Sequence, residues 1–252
     1  MLPWLALLAL AVPAPCPELA QGKIPEPKDV AVEPGTPHAW MLSCSAVLFE
    51  RNHDRHDLLA GQPMSASVGD EARETLAKWW GVHAREDLLD KLGWLEKEGH
   101  RRGFDADVKK YARLSPLELK KKLLDIRDED ERASVEIAAR EGARAGAKSI
   151  LGWDLGRFVA LCRWGYAARY LSEEEAWERM TPVAKKIQKT FSSWQDFGEN
   201  FCLGREYWSP GENEDTVAAF NKLLKDEASP WKATAWDQKL DAKPAKKPAA
   251  AK

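Results

Sequence analysis

The sequence predicts an all-α protein built as a single compact multi-helix domain with a Trp-rich core. Three observations carry that prediction. Apolar residues recur at helical spacing along almost the whole chain, and period-two alternation is nearly absent. Ser-x-x-Glu capping signals stand at Ser115 and Ser172, each ahead of a long stretch with helical periodicity. The 252 residues, 44% hydrophobic and 31% charged, hold apolar matter for one large core. Twelve tryptophans beside four tyrosines give that core its character, because each indole buries a large area and needs an acceptor for its N–H.

Taken in order, Trp40, Cys44, Val47 and Leu48 mark one face of a first helix that ends near Asn52. A second runs from about Asp70 to Trp80 and stops at Gly81, a residue free to turn left-handed. Leu88, Leu89, Leu92 and Leu95 form the stripe of a third, closed by Gly99. Ser115-Pro116-Leu117-Glu118 opens a long charged helix expected to reach about Lys148, with proline at the first helical position. The mixed-sign run at 127–132, RDEDER, reads as a solvated face of that helix. The chain breaks near Leu171, and Ser172-Glu173-Glu174-Glu175 starts the next helix, which Pro182 is expected to kink or restart. Trp194, Phe197 and Phe201 mark a further buried helix ending around Gly204, and a last one covers about 215–225. Seven to nine helices are expected over residues 39–236.

The ends differ in composition. Residues 2–14, LPWLALLALAVPA, are apolar but fall short of the roughly 20 residues of a membrane-spanning helix, and read as the core of an export signal with cleavage points at Ala14 or Ala20. Residues 1–20 are thus expected as a leader and residues 21–38, with Pro25, Pro27, Pro34 and Pro37, as a Pro-rich tether. Residues 237–252, ending AKPAKKPAAAK, are expected as a disordered cationic tail, read first as solvated padding, with weak contact to a membrane or cell-wall polymer as the alternative. An exported protein, periplasmic or extracellular, is the expectation. The lack of a basic residue ahead of the apolar run keeps a cytoplasmic address as the alternative. Cys16 follows Pro15 and does not complete a lipidation box.

Lys and Arg total 38 against 40 Asp and Glu, a formal charge of -2, so no global basic field exists and no specific nucleic-acid partner is expected. Cys44, Cys162 and Cys202 sit in apolar helical patterns without a CxxC pair and read as small buried hydrophobes, one disulfide among them staying open. Gly142 and Gly146 in EGARAGAKS lack the spacing and the preceding strand of a phosphate loop. His53 and His56 beside Asp57 lie on a polar loop without an HExxH pattern. No metal and no cofactor are expected.

The chemically informative residues are polar groups in apolar surroundings: His100, Asp154, Arg157, Glu175, Asp196 and Arg205. Asp154 and Arg157 are three apart, hence on one helix face, bracketed by Trp153 and Phe158. In a structural reading Asp154, Arg157 and Arg205 form a buried hydrogen-bonded network and His100 caps or bridges a helix end. In a functional reading they line a pocket: His100 acts as acid or base, Asp154 orients it, and Arg157 with Arg205 receives an anionic group. No Gly-x-Ser-x-Gly elbow is present, and Ser192-Ser193 reads as a helix cap before Trp194. The leading expectation is a non-catalytic envelope module that binds a partner protein or an anionic ligand near Arg157 and Arg205. A hydrolase or transferase with a His/Asp/Arg pocket is the alternative.

Three segments, WWGVHAREDLLDKLGWLEKEGHRRGF, GWDLGRFVALCRWGYAARYLSEEEAW and FSSWQDFGENFCLGREYW, together resemble the bacterial domain of unknown function number 1266, DUF1266, over about residues 39–209. The resemblance implies a fold and a set of motif residues, with no activity attached. Its motifs fall on Gly99-His100, on Trp153 to Arg157 as Trp-Asp-x-Gly-Arg, on Glu175-Ala-Trp177, on Ser192-Ser193-Trp194 and on Gly204-Arg205. The leader, tether and lysine tail depart from the family and point to a version sent to the envelope.

Overall fold

The computed structural model describes residues 24–241; the expected leader and the tail beyond Asp241 lie outside the described residues. Twelve α-helices and one 3-10 turn, Gly146–Lys148, make up the described part, whose only β feature is an isolated bridge between Ala31 and Leu58.

Helix α8 (Leu151–Ala167) is the axle of the fold. Every one of its residues is buried, as a helix apolar on all sides requires. Packed around it are α3 (Ala66–Trp80), α4 (Arg85–Lys97), α9 (Glu173–Thr190) and α10 (Trp194–Trp208). The α8 and α10 axes come close because Gly204 has no side chain: a Cβ there would lie 2.1 Å from the Cβ of Trp153. A tryptophan cluster closes one end. Trp194 stacks on Trp231 with centroids 5.7 Å apart and meets Trp40 and Trp236 at 4.7 and 4.9 Å. Three of the four N–H groups are spent on backbone: Trp40 donates to Trp236 O at 3.2 Å, Trp194 to Thr234 O at 2.8 Å and Trp231 to Ser43 O at 3.0 Å.

Several elements differ from expectation for identifiable reasons. The first helix is two, α1 (Pro37–Ser43) and α2 (Ala46–Arg51), broken where the Ser45 hydroxyl bonds back to Leu42 O at 2.9 Å. An unexpected α5 (Arg101–Tyr111) buries only Phe104 and Tyr111 from a mostly charged sequence. The long charged helix is also two, α6 (Pro116–Leu124) and α7 (Glu129–Ala145). Asp128, inside the run read as a solvated face, caps α7 by accepting from the Glu131 N–H at 2.8 Å. Pro182 does not end α9: it stands on the exposed side, where the carbonyl it leaves free reaches water, while Met180, Val183, Ala184 and Ile187 hold both halves to the core. Helix α10 continues past Gly204 to Trp208, and α11 (Glu214–Lys225) is followed by a short α12 (Pro230–Ala233).

Residues 24–33 are extended, as the proline content implies, and turn at 34–36, yet they lie along the domain. The Tyr166 hydroxyl accepts from Lys28 N at 2.9 Å and donates to Lys28 O at 2.8 Å, and Leu59 N donates to Val30 O at 2.9 Å. At the other end Leu240 is buried and Gln188 Nε2 donates to Gln238 O at 2.9 Å.

Candidate ligand-binding site

The polar motif residues meet where the start of α5 abuts α8 and α10. Asp154, in the first turn of α8, is fully enclosed. Its Oδ1 accepts from the His100 backbone N–H at 2.9 Å and from Arg157 Nη2 at 3.0 Å. Its Oδ2 accepts from the Arg101 backbone N–H at 3.2 Å and from Arg101 Nη1 at 2.9 Å. This carboxylate is the N-terminal cap of α5, supplied from another helix, since His100 at the N-cap position makes no side-chain cap of its own. Gly99 makes the arrangement possible. It sits at φ +59°, and a Cβ on it would lie 2.1 Å from Asp154 Oδ2.

Asp154 does not hold the His100 ring. His100 Nδ1 stands 3.9 Å from Asp154 Oδ1, and its lone pair accepts instead from Arg157 Nη2 at 2.7 Å. Arginine has only donors, so His100 is the tautomer with hydrogen on Nε2. Burial, then the charges of Arg157 and Lys91, pushes the ring down to about 3, so it is neutral at physiological pH. Burial also lowers Arg157, to about 9 against the pull of Asp154, which leaves it charged. Its guanidinium lies 3.9 Å above the Trp153 ring and 5.2 Å from that of Trp80.

Trp208, 46% exposed, forms the outer wall. The His100 and Trp153 rings face it at 6.4 and 6.0 Å, and the Arg205 guanidinium stands 5.1 Å from it on its own helix. Arg205 is inside α10 and not at its end, with a side chain only 4% exposed. Its bonds are poor. Nη1 reaches Ser209 O at 3.5 Å, Nη2 reaches Glu212 Oε2 at 3.4 Å, and Nε has no partner although it is buried. The indole N–H of Trp153 is buried without a partner as well.

The family described as "Protein of unknown function (DUF1266)" matches residues 75–236. The chain belongs to this family. It is similar to two Escherichia coli K12 proteins, the uncharacterized protein YbeR, 26% identical over 139 residues, and the uncharacterized protein YbeU, 27% identical over 143 residues. Those matches take in 55% and 57% of this chain and 59% and 60% of the relatives, so the chain spans about three fifths of their length. No solved structure matches. The DUF1266 span contains all of the joint between α5, α8 and α10.

Other sequence-selected residues of the DUF1266 domain lie among different neighbours. Glu175 closes the capping box of α9, accepting from Ser172 N at 2.9 Å, and pairs with Arg85 on α4. Trp177 stacks on His38 at 4.0 Å, its own N–H buried and unpartnered. Ser193 caps α10 by accepting from Asp196 N at 3.1 Å, Asp196 pairs with Lys148 at 2.7 Å, and Trp194 belongs to the tryptophan cluster. His56 Nε2 bonds Glu50 at 2.9 Å, and His53 occupies a turn at φ +61°. Among the described residues Cys44, Cys162 and Cys202 are free buried thiols. Arg163 escaped the sequence reading. It is fully buried, donates to Leu59 O, Ser45 Oγ, Leu58 O and Arg55 O at 2.8–3.0 Å, and lies 3.3 Å above the Phe49 ring. Its position in the middle of a helix without a polar side was the available signal.

Proposed function

We propose that this DUF1266 member is a non-catalytic binding module that receives an anionic group, free or borne by a partner protein, on the face around Trp208, with Arg205 as the receiving charge. The observation that carries this reading is the condition of Arg205: nearly enclosed, charged, and provided with only two contacts at the long limit of a hydrogen bond. A buried charge held only by long contacts is poorly compensated, so such a group is a place where a ligand adds the missing bonds. The neighbourhood supplies donors and few acceptors. Asp154 is the single carboxylate shared by Arg101 and Arg157, His100 presents Nε2–H, and the Trp153 N–H is unspent.

Proton chemistry finds little support in the same arrangement. Both oxygens of Asp154 are occupied, and the one accepting nitrogen of His100 is filled by Arg157. The apolar leader supports placing the module in the envelope, which sequencing the N-terminus of the protein from its own cells tests. The binding reading is tested by titrating inorganic phosphate, citrate and an acidic peptide against the full chain and following tryptophan fluorescence. Trp208→Ala and Arg205→Gln each weaken the observed binding about tenfold, the scale of one charge-assisted contact. Unchanged binding in both refutes the assignment. Turnover of a substrate that His100→Ala abolishes at unchanged melting temperature refutes the non-catalytic reading.

A further inference from the structure

The ligand class follows from what surrounds Arg205, granted the anion-binding reading of this face. We propose that the anion is a tetrahedral oxyanion of the phosphate class, held where the ends of α2 and α10 meet the start of α11 by Arg205, Arg51, Thr216 and the first-turn N–H groups of α11.

Two sets of poorly satisfied groups lie where the end of α10 meets the start of α11. One is the Arg205 guanidinium, whose hydrogen bonds among the described residues are long ones to Ser209 O and Glu212 in the turn that leads into α11. The other is the start of α11 itself. Asn213, at its N-cap position, makes no side-chain cap: the amide donates to Cys202 O at 3.3 Å, and its Oδ1 is buried and unpartnered. Thr216, at the third helical position, is 1% exposed, and its hydroxyl also lacks a partner. The first turn therefore has no side-chain acceptor for its free N–H groups, the setting in which a helix start attracts an anion. Cys202 and Arg205 are three apart on α10, so Asn213 bonds the same face of α10 that carries the guanidinium.

Two guanidinium charges lie close to this position. Arg51, the last residue of α2, adds a second cation, and after burial its charge is the main influence depressing Arg205. Glu212 is the one carboxylate in contact, and its side chain is 72% exposed, with a second bond from Ser209 Oγ at 2.8 Å. It leaves for water at little cost, which frees Arg205 for a ligand. Glu214 and Asp215 in the same first turn are exposed. Two guanidinium groups, a hydroxyl and a helix start supply more donors than the two oxygens of a carboxylate readily satisfy, whereas a phosphate offers three or more acceptor oxygens.

The experiment uses the full chain at constant ionic strength, with inorganic phosphate and glycerol phosphate as probes and citrate as the carboxylate control. Fluorescence reports binding, since Trp208 lies 5.1 Å from the Arg205 guanidinium, and the melting temperature gives a second readout. The variants are Arg51→Ala and Glu212→Ala, both at exposed positions. Arg51→Ala weakens phosphate binding about tenfold, and Glu212→Ala tightens it about threefold, opposite signs that general loss of folding does not produce. Preference for glycerol phosphate assigns the site to a phosphate ester, preference for inorganic phosphate to the free ion. Phosphate binding indifferent to both variants overturns the placement. Binding of citrate or acidic peptide, with none of phosphate, overturns this inference and leaves the binding module standing. Failure of every anion removes both.

Discussion

Removal of the Asp154 carboxylate is the sharpest test of how the joint is held. Asp154→Ala deprives the start of α5 of the acceptor for two backbone N–H groups, at 2.9 and 3.2 Å, a loss comparable to a helix cap at about 1 kcal/mol. It also leaves Arg157 charged and enclosed. Breaking a buried pair from one side costs about 3–5 kcal/mol. The lower end applies, because Arg157 keeps Trp153 O at 3.1 Å and His100 Nδ1 at 2.7 Å, and Arg101 keeps Leu95 O at 2.8 Å. The expected total is about 4 kcal/mol, or a fall of about 8–16 °C in melting temperature for a domain of this size. Guanidinium chloride unfolding followed by tryptophan fluorescence and by circular dichroism measures it. A loss below about 1 kcal/mol refutes the account of Asp154 as shared cap and counter-charge. A cycle with Gly99→Ala checks the geometry separately. Alone, that substitution pays both for φ +59° and for a Cβ 2.1 Å from Asp154 Oδ2. In the Asp154→Ala background only the backbone strain remains, about 1–2 kcal/mol, so the double variant is less damaged than the sum by about 1 kcal/mol or more. Strict additivity contradicts the contact.

Three further outcomes follow from the same coordinates. His100 is depressed to about 3 from 6.5, so below pH 6.5 the unfolded chain binds a proton that the folded chain refuses. Stability therefore falls with pH through that window by about 1.4 kcal/mol per unit from this residue, and His100→Gln flattens the dependence measured between pH 6.5 and 4; an equally steep profile in the variant contradicts it. Burial raises all three core thiols, Cys202 to about 12, so in a Cys16→Ser chain Ellman's reagent labels none of them in native buffer and all three after denaturation. Rapid native labelling of any one shows that its surroundings open. Arg163→Lys retains the charge but offers one nitrogen where the guanidinium spends three on Leu59, Ser45, Leu58 and Arg55, so it loses at least about 2 kcal/mol and hastens amide exchange in residues 55–61. Wild-type stability and exchange in that variant refute the role given to the guanidinium.

What was legible in the sequence and what was not divides by the distance over which a residue finds its partner. Ser115 and Ser172 exchange bonds with glutamates three positions on, and Gly81 and Gly99 end their helices by their own backbone angles, so local pattern suffices for them. Asp128 likewise accepts from the backbone N–H three positions on, yet its neighbours of both signs give it the look of a solvated face, and the pattern merges α6 with α7. Asp154 defeats local reading for a different reason. It stands in the first turn of α8, where a carboxylate would cap its own helix, and instead caps α5 from 54 positions away. The same limit separates the two arginines. Polarity amid apolar neighbours marks Arg157 and Arg205 alike, and only the folded chain distinguishes them: the carboxylate of Arg157 is fully enclosed, while that of Arg205 is turned to solvent. An enclosed pair is spent on holding helices together. A buried cation whose nearest acid can leave without disturbing the core is free to exchange it, and on that contrast rests the assignment of the joint to Arg157 and the proposal of ligand binding at Arg205.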